Sequence, residues 1–314
     1  MKFYLLLILG QVMTGVAHFS HKLFSRKSNS FIPTGTLYSA LISLFSLPIF
    51  AILSKGALAF DADMAFHSIA YGVLAALSQV MIFIAFSRVN MVVYSVFNKS
   101  SSILVCLAGY FIFGDDVTVT SVLSIILLTV AIILPLFEMK RNEGGKSSFV
   151  GLLICVIMML NGFIINLVVK GFTELPTTTV DRASGLYFYA NAVTALALFI
   201  LLVVITRKKR AGVGAHSETG GLSPYRIGIP AVVKKVPPLF YLIIPFTATI
   251  ANIPCVTNAL CMMNLNLSAY MVVLNAAESL VMFCISRFIF KEKSTKIDIF
   301  SLALSTLAGI VTAL

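Results

Sequence analysis

The stretch VVYSVFNKSSSILVCLAGYFIF, Val92 to Phe113, is almost wholly apolar, yet it carries Asn98 and Lys99. A second stretch, AYMVVLNAAESLVMFCISRFIF, Ala269 to Phe290, repeats the pattern with Asn275 and Glu278. Laying Asn98 on Asn275 without gaps also sets Val96 on Val273, Phe111 on Phe288, Ile112 on Ile289, Phe113 on Phe290, Asp115 on Glu292 and Thr118 on Thr295. FIFGDDVT thus meets FIFKEKST, and one element reads as used twice. A weaker match joins HKLF, with Lys22 and Phe24, to VKGF, with Lys170 and Phe172. Apolar residues match often by chance, so the polar coincidences carry the weight.

Composition says where such elements live. The chain has 314 residues, of which 59% are hydrophobic and 11% charged, and its mean hydropathy is +1.00. Soluble domains have roughly 45–50% apolar residues, so this is a membrane protein. Its net charge of +11 would suit nucleic acid only if the basic residues formed a face on a soluble domain. They sit between apolar runs instead, so no nucleic-acid partner is expected.

About ten runs are long enough to cross a hydrocarbon core of roughly 30 Å as helices. They lie near Phe3–Phe19, Gly35–Leu53, Ile69–Ser87, Val92–Phe113, Val117–Phe137, Phe149–Phe172, Leu186–Ile205, Leu239–Met262, Ala269–Phe290 and Ile297–Leu314. The expected fold is all-α and polytopic, with residues 1–140 and 147–314 as two repeats of about five helices each. An odd number of spans per repeat makes the second copy enter from the opposite side. Inverted repeats are a device of secondary transporters, whose midplane site opens alternately to each face.

If the spans alternate, one face gathers Lys22, Arg26, Lys27, Arg88, Lys140, Arg141, Lys146, the run Arg207 to Arg210, Arg226, Lys234, Lys235, Lys291, Lys293 and Lys296. The other face holds only Lys2, Lys55 and Arg182. The positive-inside rule makes the rich face cytoplasmic and both termini extracytoplasmic. A short chain without a transit peptide fits a bacterial plasma membrane, and the first span, which lacks an A-x-A site, reads as retained. The connection over about residues 206–238 is basic and Gly-rich, so it reads as a flexible cytoplasmic loop meeting anionic membrane lipids. Its GVG lacks the third glycine and preceding strand of a dinucleotide fingerprint.

The five cysteines all fall inside apolar runs, and the four histidines show no ligand spacing, so neither metal nor cofactor is expected. No G-x-S-x-G or H-E-x-x-H occurs, which argues against a membrane-embedded enzyme. A receptor would give the repeat no purpose.

In the fourth span Ser95, Asn98, Lys99, Ser102 and Cys106 share one helix face; in the ninth, Asn275, Glu278, Ser279, Met282 and Ser286 do the same. A polar stripe in a membrane turns to protein or to a water-filled cavity. A charge facing lipid at the bilayer centre costs about 2.5–3.5 kcal/mol, so Lys99 and Glu278 need partners. Two readings stay open: a structural ion pair across the helices, or a substrate site. A zwitterion such as an amino acid would offer a carboxylate to Lys99 and an ammonium to Glu278; an anion would need Lys99, leaving Glu278 to take up a proton. Further candidates are His18 and Asn166, which match under the Lys22 to Lys170 alignment, with Gln79 and Tyr94; helix-to-helix hydrogen bonds are their alternative role. Lys22 and Lys170, near span ends, are expected to snorkel to the headgroups. Pro245 and Pro254 mark the eighth span as a bent, gating helix.

With five-plus-five spans, and with the fourth and ninth ending in the short acidic turns FGDDVT and FKEKST, the chain resembles the drug/metabolite transporter superfamily, in its ten-helix, EamA-like branch. Its turns depart from the glycine–glutamate of that pattern, having Gly114-Asp115 and Lys291-Glu292. The resemblance implies that the first, third, fourth, sixth, eighth and ninth spans surround a central cavity. It also implies export of a small polar metabolite by alternating access. A nucleotide-sugar or sugar-phosphate exchanger of the same superfamily is the alternative, although it would want more cationic residues at midplane than Lys99. Oligomeric state is not legible.

Overall fold

The computed structural model describes residues 2–28, 32–88, 91–114, 118–142, 149–208, 229–289, 291 and 296–313. Among them are eleven α-helices and no strand: α1 (Lys2–Lys27), α2 (Ile32–Leu53), α3 (Ala62–Arg88), α4 (Met91–Ile112), α5 (Val119–Asn142), α6 (Phe149–Thr173), α7 (Val180–Lys208), α8 (Ile229–Lys235), α9 (Pro238–Asn264), α10 (Leu267–Cys284) and α11 (Lys296–Ala313). Seven of these helices, α1, α2, α3, α6, α7, α9 and α10 with the wide turn that follows it, are long and apolar enough to cross a membrane. Shorter apolar segments lie in α4, α5 and α11, at Ser101–Ile112, Val119–Ala131 and Ile299–Ala308. The chain is a polytopic helical membrane protein.

Several helices begin before the apolar runs do, because polar residues outside those runs satisfy the free N–H groups of the first turn. Asp61 Oδ1 accepts the Met64 N–H at 2.8 Å at the head of α3. Thr179 Oγ1 accepts the Arg182 N–H at 3.2 Å at the head of α7.

Six helices pack in a row, α3–α6–α4–α10–α1–α9, crossed by contacts of α1 with α3 and of α6 with α9. Helices α2 and α7 pack on each other and against α3 and α9; α5 and α11 pack on each other and against α4 and α10. Lipid supplies no hydrophobic drive between apolar helices, so close approach at small residues has to do that work. A Cβ on Gly15 would lie 2.2 Å from Val281 Cγ1, and one on Gly72 would lie 2.6 Å from Val193 Cβ. These positions set the α1–α10 and α3–α7 distances.

The connection over about 206–238 departs from the loop expectation at its end. Ile229–Lys235 is a helix, since Val232 and Val236, four apart, bury against Phe240 and the α2 core. Residues 209–228 lie outside the described residues. Helix α9 runs unbroken through Pro245 and Pro254, with the Thr249 hydroxyl bonding the Pro245 carbonyl at 2.9 Å and the Thr257 hydroxyl that of Pro254 at 3.1 Å. Lys22 and Lys170 correct the snorkelling expectation: both are buried, and the Lys170 ammonium is held by Met262 O in the last turn of α9.

Candidate functional site

The site grows from the α1–α10 contact. Gly15 lets α10 approach, and one turn later on α1 His18 Nε2 stands 4.0 Å from Glu278 Oε1. Glu278 is buried, eleven residues into its helix and so roughly 16 Å along it. On its own helix Asn275 Nδ2 donates to Met271 O at 2.7 Å. Helix α4 packs alongside α10, with Ser101, Ser102 and Cys106 buried, and Cys106 Sγ lies 3.9 Å from Ser268 O. Both polar stripes therefore carry buried, protein-facing residues. The side chains of Tyr94, Asn98, Lys99 and Ser279 lie outside the described residues, so the expected Lys99–Glu278 pairing does too.

Two further candidates, Gln79 and Asn166, have hydrogen bonds to protein groups. Gln79 Oε1 accepts the Ser39 hydroxyl at 3.1 Å, joining α3 to α2. Asn166 Nδ2 donates to Gly162 O of its own helix at 2.8 Å. Among the described residues picked from sequence, His18 and Glu278 approach one another across helices.

Sequence reasoning missed His21 and the hydroxyl group beside it. Ser20 lies 2.6 Å from the Tyr38 hydroxyl and 2.9 Å from that of Thr247, linking α1, α2 and α9. His21 is buried, and its Nδ1 has no hydrogen-bond partner among the described residues. The signal was present in HFSHK, where His18, His21 and Lys22 fall at helical spacings on one face. Farther up α1, Gln11 Nε2 donates to Asn258 Oδ1 of α9 at 3.4 Å. Asn161 of α6 donates to Leu74 O and Ser78 Oγ of α3 at 2.8 and 2.5 Å.

Aromatic layers bracket this polar middle. Toward the end of α1, Phe24 stacks on Tyr38 at 4.1 Å between ring centroids and meets Phe240 edge-on at 4.9 Å and Phe83 at 6.0 Å. Toward the opposite face Phe50 stacks on Tyr187, and Tyr71 meets Tyr187 edge-on, each at 5.5 Å. That face also carries ion pairs: Lys170 with Glu174 at 2.5 Å, Lys55 with Asp181 at 3.3 Å, and Arg182 with Asp61. Among the described residues no group of three His, Cys, Asp or Glu side chains could hold a metal ion.

The fold has a solved counterpart. A protein of known crystal structure superposes with a TM-score of 0.60 over 99% of this chain and 94% of its own, at 14% sequence identity. At that identity the likeness is one of fold alone. No family model and no curated protein sequence matches the chain.

Proposed function

We propose that this chain is a secondary transporter, exporting a small polar metabolite such as an amino acid by alternating access between two inverted repeats of about five membrane-crossing helices each. In this reading α4, α5 and α11 complete a set of about ten spans. The chain then belongs with the EamA-like drug/metabolite transporters, in a plasma membrane of bacterial type, with both termini extracytoplasmic and the basic connections inside.

The observation that carries the reading is the packing order. Exchanging α1 with α6, α2 with α7, α3 with α9, α4 with α10 and α5 with α11 turns the α1–α9 contact into α6–α3. It turns α1–α10 into α6–α4, and α10–α11 into α4–α5, all contacts present in the fold. The α2–α7, α5–α11 and α4–α10 pairs map onto themselves. A molecule with this exchange can close one face with the contacts that open the other. The substrate site sits where the exchange axis meets the buried polar groups, around Glu278, His18, Asn275 and Ser102.

An exchanger of sugar phosphates or nucleotide sugars is a second reading, favoured by the burial of two further lysines, Lys22 and Lys170. Counterflow into proteoliposomes discriminates, with radiolabelled amino acids, polyamines, sugar phosphates and nucleotide sugars offered in turn. Uptake of amino acids that is lost in Glu278→Gln and Lys99→Met would support the first reading. Uptake of phosphorylated compounds alone would replace it with the second, and silence across all classes would remove both.

A further inference from the structure

Lys170 does more than end a helix. It lies in the last turn of α6 with its side chain only 6% exposed, and its ammonium touches three elements. It donates to Met262 O, in the last turn of α9, at 3.2 Å. It pairs with Glu174, in the turn just after α6, at 2.5 Å. It also stands 5.9 Å from the centroid of the Phe113 ring, just past the end of α4. Carbonyls in a last helical turn lack intrahelical partners and carry the negative end of the helix dipole, so an ammonium is held well there. Two residues on, Phe172 is buried between His67 of α3, 5.4 Å away, and the Arg182 guanidinium, 5.8 Å away. The end of α6 is thus tied to α9, α4 and α3 at once.

The counterpart end of α1 is sealed differently. There Phe24, which aligns with Phe172, packs into the ring cluster of Tyr38, Phe83 and Phe240. The Lys170 end adds a buried cation to its own aromatic layer of Phe50, Tyr71 and Tyr187. Glu174, 55% exposed, directly follows α6 and is tied to it by its own N–H, which donates to Lys170 O at 3.0 Å. Parting α6 from α9 therefore breaks a hydrogen bond to a neutral carbonyl while the ion pair travels with the helix, so no charge is stranded.

We propose that Lys170 is the latch of the gate on the α6–α7 face, closed while its ammonium holds Met262 O and open when it withdraws with Glu174. The latch rests on the alternating-access reading above.

The test uses native thiols as reporters. Cys261 is buried on α9 one residue before the clamped carbonyl, and Cys155 is buried on α6 toward the other end. Full-length protein in proteoliposomes, retaining one of these cysteines at a time, is exposed to a membrane-impermeant maleimide. Lys170→Met is expected to speed labelling of Cys261 at least tenfold and leave Cys155 at its original rate, with Lys170→Arg restoring slow labelling. Phe113→Ala, which keeps the charge but removes the ring beneath it, is expected to speed Cys261 several-fold. Unchanged Cys261 labelling in Lys170→Met, or equal acceleration of both cysteines, would overturn the latch and leave Lys170 a static helix cap. Labelling needs no substrate: accelerated Cys261 with silent counterflow would sink the transport reading and keep the latch, whereas counterflow with unmoved labelling would do the reverse.

Discussion

Gly114 and Lys291 stand at the same separation as Asn98 and Asn275, and both hold the left-handed backbone, with φ of +70° and +52°. The helices before them end alike. The Phe113 N–H reaches back to Ala108 O at 3.3 Å, a five-residue step, and Ile285–Ile289 after α10 is a π-helical turn built on the same step. Each helix end thus has a five-residue step with a left-handed residue close behind it. Wide turns of this kind occur mostly as single insertions and gather at functional sites.

Glycine adopts that backbone without penalty, whereas a side chain costs about 1–2 kcal/mol there. Lys291→Gly is accordingly expected to raise stability by about 1 kcal/mol in thermal unfolding, and Gly114→Ala to lower it by a similar amount. A destabilised Lys291→Gly would mean that the lysine side chain makes contacts outweighing its backbone.

The α1–α10 approach is set by a missing Cβ. Gly15→Leu would drive carbon into Val281, whose Cγ1 lies 2.2 Å from where a Cβ would stand, and the expected loss is about 1–3 kcal/mol, typical of overpacking. Val281→Ala in the same chain should recover part of it. Additive losses in the double variant would place the strain elsewhere.

His18 and Glu278 are expected to be coupled. Glu278→Gln and His18→Ala should each stop counterflow in folded protein. Their combined effect on unfolding should deviate from additivity by about 0.5–3 kcal/mol, as for groups in direct contact. Strict additivity would show that the 4.0 Å approach carries no energy. The same cycle with Lys99→Met measures whether the lysine shares Glu278.

Asp61 does two jobs that substitution can separate. It caps α3 through the Met64 N–H and accepts the Arg182 guanidinium. Asp61→Asn keeps an acceptor for the cap and should cost under about 1 kcal/mol, as exposed ion pairs do. Asp61→Ala also loses the cap and should cost about 1–2 kcal/mol. Equal losses in both variants would assign the energy to the ion pair.

Much of the architecture was legible because hydrophobic length is a strong signal: apart from end residues the apolar runs lie within single helices, save Ala269–Phe290, which continues from α10 into the π-helical turn Ile285–Ile289. The ends were misplaced where Asp61 and Thr179 cap helices from polar sequence. Helix α8 was hidden in a connection whose composition is that of a loop, since two buried valines give little periodicity. Glu278 was found because an ionisable residue inside an apolar run is conspicuous, but its approach to His18 was not legible. His18 reaches it only because of Gly15, and which glycine lies against which helix is a property of tertiary packing. Lys170 was misjudged for a similar reason: distance from a span end says nothing of the α9 terminus that covers it.

Locking tests the exchange of faces most directly. In a cysteine-free background, Thr173→Cys with Asn264→Cys sits at the ends of α6 and α9, and Phe24→Cys with Phe83→Cys sits in the aromatic layer at the other end. Each pair is joined by a short bifunctional maleimide and counterflow is measured. The expected result is that either crosslink alone abolishes counterflow while the unjoined pairs retain it. Undiminished counterflow with both ends locked would contradict alternating access in this protein.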